Sequence, residues 1–274
     1  MLRYIKAALK IGFGDNILSL FSNFKYLGAG LTKVPNNSNS TLSDLFLWRK
    51  DLEWSTHFEL LDINYLISPE VKNQMDQFAT LVFFNHSGEL VYQININYSA
   101  NGRNTIDITK ILPDHIKGFG TFSCFHLSQG NLFKETGSFI AERGYCGYTR
   151  NESTVKSYVH GNLDAIAYDG TKFEMLGNYN VRNYEYLLQY EFECGINYEV
   201  VLTNPTNSKQ KINLRFLNHD RLDEQISLDV RGSYVKRIFF EEDKKVRLVV
   251  ESHMFMARPI IFRFHELSLD VFHG

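Results

Sequence analysis

Along most of the chain, hydrophobic and polar positions alternate with a period of two, as in strands with one face on a core and the other in water. The clearest case is "ATLVFFNHSGELVYQININY". An apolar run ends at Asn85-His86-Ser87-Gly88, and Leu90, Tyr92, Ile94 and Ile96 then recur on one face, which predicts a hairpin. "THFELLDINYLI", upstream, alternates more loosely. "NTIDITKIL" and "GFGTFSCFHL", downstream, read as two strands separated by a turn from Pro113 to Lys117. The second half repeats this plan. "YEVVLTNPTNSKQKINLRFLNH" runs apolar up to Asn204-Pro205-Thr206-Asn207 and resumes with Ile212, Leu214 and Phe216 on one face; "YVKRIFF" and "KKVRLVVESHM" then take the places of the two later strands. "ESHMFMARPIIFRFHELSLDVFHG" closes the chain as a strand pair, with Pro259 marking an edge or bulge because proline cannot donate to a ladder.

The period changes near the start. Leu2, Ile5 and Leu9 recur at helical spacing beside Arg3, Lys6 and Lys10, and Ile17, Leu20, Phe21, Phe24 and Leu27 repeat that spacing. Two short amphipathic helices are expected, either packed on the β core or lying as a peripheral contact on a membrane surface. "KVPNNSNSTLSD" reads as a polar linker. The expected fold class is mainly β: two antiparallel β-sandwich modules in tandem, with short N-terminal amphipathic helices. The divisions are a helical segment at 1–34, a linker at 35–49, a first module at 50–130, a connecting segment at 131–184 and a second module at 185–274. A single larger sandwich built from both halves is the alternative.

Composition fits this reading: aromatic residues make up 14% of the chain, with 22 Phe and 15 Tyr against 5 Pro. With 29 basic and 31 acidic residues interspersed, no broad positive field exists to gather phosphate backbones, so nucleic acid is not an expected partner. Cys124, Cys146 and Cys194 are odd in number and far apart, which suits free thiols in a reducing compartment better than a disulfide framework or a zinc site. Lys6, Lys10, Gly12, Gly14, Asp15 and Asn16 interrupt any signal-peptide core, and no later run reaches the roughly twenty apolar residues of a spanning helix. A soluble, cytoplasmic protein is the expectation.

One stretch carries more polar chemistry than alternation explains: "RGYCGYTRNESTVKSYVHGNLDAI", Arg143 to Ile166, between the two modules, where ligand clefts often form. Arg143 and Arg150 can grip a carboxylate or sulfate in a planar fork, and Tyr145, Tyr148 and Tyr158 offer rings and hydroxyls. His160 can exchange a proton near neutral pH, and Asn162, beside Gly161, can hold a sugar hydroxyl or a developing oxyanion. The predicted substrate-binding residues are therefore Arg143, Tyr145, Tyr148, Arg150 and Asn162, and the predicted proton-transfer residues are His160 and Tyr158. β-Sandwich polysaccharide lyases use the same residue types, a likeness of chemistry without a shared motif. Cys146 beside these arginines would have a lowered thiol pKa.

The nine histidines contain no H-x-H pair and no H-E-x-x-H helix, no metal is expected, and "GFG" at Gly12 and Gly118 lacks the setting of a phosphate loop, so no cofactor is expected. Asp164, Asp169, Glu185 and Glu191 flank the stretch as carboxylates for hydrolysis only if space brings a pair together. The expected function is a β-sandwich protein that recognises or processes a carbohydrate, an acidic glycan among them, in the cleft between modules. As an enzyme it would be a polysaccharide lyase or hydrolase. The alternative is a non-catalytic structural or interaction protein, open to homo-oligomerisation through exposed strand edges.

Overall fold

The computed structural model describes residues 32–37, 39–61, 77–98, 103–126, 144–151, 153, 155–218, 224–241, 245–255, 258–266 and 268–274. The expected N-terminal helices and Arg143 lie outside the described residues. In chain order the strands are β1 (Thr41–Lys50), β2 (Trp54–Leu61), β3 (Gln77–Asn85), β4 (Leu90–Tyr98), β5 (Arg103–Asp107), β6 (Gly118–His126), β7 (Gly144–Arg150), β8 (Ser157–His160), β9 (Asn162–Tyr168) and β10 (Phe173–Met175). They continue with β11 (Tyr179–Leu187), β12 (Asn197–Thr203), β13 (Gln210–Leu217), β14 (Glu224–Leu228), β15 (Ser233–Ile238), β16 (Arg247–Met254), β17 (Ile260–Phe264) and β18 (Leu269–His273). One short helix, α1 (Ile108–Ile111), follows β5 because the Asp107 side chain caps it by accepting from Lys110 N. "NTIDITKIL" is thus half strand and half helical turn.

The strands form a six-stranded sheet, β10-β9-β1-β6-β3-β4, and three four-stranded sheets, β5-β2-β7-β8, β15-β12-β17-β18 and β11-β16-β13-β14, with antiparallel pairing throughout the described ladders. They are arranged like the blades of a propeller and do not resolve into two clear sandwiches. The reason is visible in the core. Tyr198, Val200 and Leu202 of β12 enter one apolar cluster with β13 and β16, whereas Val201, Ile260 and Phe262 enter another with Phe46, Phe58 and Phe122 of the first half. A sheet of the second half is therefore covered on both faces, and one of its faces closes the first half's core.

β1 corrects the sequence expectation most directly. Residues 41–50, expected in and just beyond a polar linker, form a strand buried along its whole length. Phe46 and Trp48 enter the first core, Leu45 packs on the far face with Val82, Phe84 and Ile166, and the Trp48 indole donates to Phe84 O at 2.9 Å. The hairpin at Asn85 forms as expected, with Phe84 opposite Leu90 and Asn85 Oδ1 accepting from Ser87 N and Glu89 N. Its expected counterpart does not: β12 pairs with β15 and β17, and β13 with β14 and β16, so the Asn204 turn carries the chain from one sheet to another. Among the described residues no helix is long and apolar enough to cross a membrane.

Candidate functional site

A cleft of about 1000 Å³ lies between the halves. The end of β1, the 51–53 turn and Arg150 of β7 form one wall; the start of β12, Arg237 of β15 and the residues after β17 form the other. Its floor is sealed by a buried ion pair. Arg49 Nη1 donates to Glu199 Oε2 at 2.5 Å, its guanidinium lies 3.7 Å from the Trp54 ring centroid, and both side chains are only 8% exposed. Among the described residues Arg49 Nε is buried with no hydrogen-bond partner. At the mouth, Arg237 Nε donates to Glu199 Oε1 at 3.3 Å from a side chain that is 87% exposed.

The accessible wall is made by Arg150 and Phe264. Arg150 is anchored through Nε and Nη2 to Glu53 Oε2 at 3.1 and 2.9 Å, and its guanidinium lies 4.8 Å from the Phe264 ring centroid. Leu52, fully exposed at the turn, together with Asn197 and His265, completes a rim of one apolar and several polar groups. Asp51 shapes this rim, because its carboxylate accepts from Glu53 N and Trp54 N and fixes the turn. Flat faces bounded by paired donors and acceptors suit a ligand with an apolar face and hydroxyl edges.

Of the residues singled out in the sequence, only Arg150 lines this cleft among the described residues. Tyr148 is fully buried two positions earlier; its hydroxyl donates to Leu47 O at 2.8 Å, and burial pushes its pKa well up. Cys146 is buried on the same face, and desolvation raises its thiol pKa instead of lowering it, which removes the activated-thiol reading. Tyr145, Tyr158 and His160 gather on the outer face of the β5-β2-β7-β8 sheet, where Tyr145 stands opposite His160 and Tyr158 opposite Gly147. At roughly 3.3 Å per residue, Tyr145 is about 16 Å along the strand from Arg150. The stretch therefore does not converge on one cleft.

That outer face has its own order. The Tyr158 ring lies across Gly147, where an added Cβ would come within 2.6 Å of it, and its hydroxyl donates to Glu59 Oε1 at 3.3 Å. Glu59, buried at 7% exposure, also accepts from Thr105 Oγ1 at 3.0 and 2.9 Å. His160 contacts His273 ring to ring at 4.4 Å, with its Nδ1 2.7 Å from Gly161 O and its Nε2 3.5 Å from an Arg258 nitrogen. Asn162 opens β9, opposite Leu45.

Arg49, Glu53, Glu199, Arg237 and Phe264 were not anticipated. One signal was present: Arg49 and Glu199 are charged residues inside the apolar strands "LFLWRK" and "NYEVVLT", and a charge in such a strand calls for a partner. Among the described residues no three His, Cys, Asp or Glu side chains gather as metal ligands would. No protein-family model matches the chain, and no curated protein matches it in sequence.

Proposed function

We propose that this chain recognises a carbohydrate in the cleft between its halves, which act as two sandwich-like modules enclosing the ligand. The observation that carries the reading is the Arg150 guanidinium on the Phe264 ring, held by Glu53 in a lining shared with Asn197, Arg237 and His265. A pyranose presents a flat C–H face bounded by hydroxyls, which such a stack and its polar rim would hold. Arg237, whose side chain is largely exposed, is the group to meet a uronic carboxylate or a sulfate. Recognition is favoured over turnover because His160 and Tyr158, the proton-transfer residues expected of a lyase or hydrolase, belong to a different face.

The test is a panel of neutral, uronic and sulfated oligosaccharides presented to the full chain, to Arg150→Ala and to Arg237→Ala. Saturable binding that weakens at least about tenfold in Arg150→Ala, a loss of about 1.4 kcal/mol, supports the reading. An acidic ligand should in addition lose affinity in Arg237→Ala. No binding across the panel, or binding indifferent to Arg150, refutes it.

One observation favours an interaction protein as the second reading. The nine-residue β4 ends the six-stranded sheet, pairs only with β3 among the described residues, and turns Leu90, Gln93 and Asn95 outward. Light scattering that shows a concentration-dependent dimer abolished by Asn95→Pro would move the weight to that reading.

A further inference from the structure

A second concavity, about 540 Å³, lies where the turn between β14 and β15 meets the β9–β10 hairpin and residues 36–40. Arg231 lines it. Its guanidinium lies 4.7 Å from the Phe84 ring centroid, and its Nε is buried without a hydrogen-bond partner among the described residues. Among the described residues no side chain forms an ion pair with it and no group accepts from its terminal nitrogens, although the cation is partly desolvated enough for burial to lower its pKa. Buried donors in proteins are almost always satisfied, and an arginine carries five in a fixed fork.

The backbone adds a second anomaly. Arg231 has φ 63°, a left-handed conformation that non-glycine residues seldom adopt, and it is locked there by Arg231 N donating to Asn204 O at 3.1 Å and by its own carbonyl accepting from Thr121 Oγ1 at 3.1 Å. The turn thus holds an unpaired cation at the wall of a pocket. Lys172 is the second cation of the lining. Two acids share the lining: Asp169 Oδ1 accepts from Thr171 N, Thr171 Oγ1 and Lys172 N, and the two oxygens of Glu174 accept from Asn36 N and Nδ2, so neither carboxylate reaches Arg231 as an ion-pair partner.

We infer that this pocket is an oxyanion-binding site in which Arg231 supplies the fork and Lys172 the second charge, taking a sulfate, phosphate or carboxylate group. The chemistry is that of a planar guanidinium with free parallel N–H groups, which binds such oxygens in pairs. Arg231 stands two residues before β15 and Arg237 within it, and the two concavities share no lining residue, so this site stands independently of the carbohydrate proposal.

The experiment follows the arginine Nε–H resonances of the full chain by NMR during titration with sodium sulfate, inorganic phosphate and, separately, a sulfated disaccharide, against sodium chloride at matched ionic strength. A saturable shift of the Arg231 resonance with sulfate or phosphate but not chloride is expected, together with at least a tenfold loss of affinity in Arg231→Met, which keeps the stacking on Phe84. Arg231→Lys should retain part of the binding. If only the disaccharide binds, the source is an acidic sugar; if the free ions bind equally well, it is the bare anion. No saturable shift with any of them, or equal affinity in Arg231→Met judged folded by its spectrum, overturns the proposal. Loss of glycan binding in the Arg150 variant with the Arg231 shift intact would separate the two sites.

Discussion

Removing Glu199 should cost far more stability than removing either arginine's exposed neighbours, because it leaves the Arg49 charge buried beneath the cleft. Both side chains of the pair are 8% exposed, Arg49 Nε already lacks a partner, and the Trp54 and Phe262 rings enclose the guanidinium at 3.7 and 5.3 Å. Breaking a buried pair by deleting one partner typically costs about 3–5 kcal/mol, because the remaining charge keeps its desolvation penalty and loses its compensation. Set against a total stability of about 5–15 kcal/mol, Glu199→Ala should lower the urea midpoint by about a fifth or more at unchanged slope. Arg237→Ala removes an exposed contact to the same carboxylate and should cost at most about 1 kcal/mol. The double variant Arg49→Met, Glu199→Leu should recover most of the loss, since apolar groups of similar size replace the pair without leaving a charge behind. Urea titrations of the four proteins decide the matter. If Glu199→Ala costs no more than Arg237→Ala, the pair is solvated and the sealed floor of the cleft is wrong.

Three further outcomes follow from other contacts. Burial, with His160 and Arg258 beside it, lowers the His273 pKa to about 4, so between about pH 6.5 and pH 4 the unfolded chain binds a proton that the folded chain refuses. Stability should therefore be full above pH 6.5 and fall by on the order of 2–3 kcal/mol as pH drops to 4, and His273→Phe should flatten that slope in thermal melts. Tyr148→Phe removes the hydroxyl that donates to Leu47 O and should cost about 1 kcal/mol in denaturant titration, with no effect on ligand binding. Gly88 has φ +83°, and an added Cβ would meet Val230 O at 1.9 Å, so Gly88→Ala should cost more than about 2 kcal/mol by splitting the contact between the two halves; a neutral result would show that the turns are not docked.

The treatment of the opening stretch shows where legibility ended for the site. "GYCGYTR", expected as part of a connecting segment, is a strand, and its alternation sets Cys146, Tyr148 and Arg150 on one face and Tyr145 on the other. Which face would be buried depends on what packs there, and Phe262, more than a hundred residues later in the chain, decides it by closing on Tyr148 at 5.1 Å. Arg150 reaches the cleft because it stands at the strand end nearest the second half, a fact of the fold that no local pattern encodes.

The sequence by itself determined the β class, most strand positions and the turn chemistry, because these follow from local periodicity and from residues acting on their own backbone. Asn85 and Asn204 each cap an apolar strand, and each does so as an Asx turn, with Oδ1 accepting from Ser87 N in one case and from Thr206 N in the other. Tertiary structure alone decided where each turn leads. After Asn85 the chain folds back on β3; after Asn204 it crosses to another sheet, while the Asn204 amide donates to Leu228 O and Asp229 O of a strand end far along the chain. A turn specifies a change of direction, but pairing is chosen by which apolar faces can be buried together, and here the β12 sheet was buried on both. That double burial merged the two expected sandwiches into four packed sheets, and it placed the cleft where charged residues from distant strands had to pair.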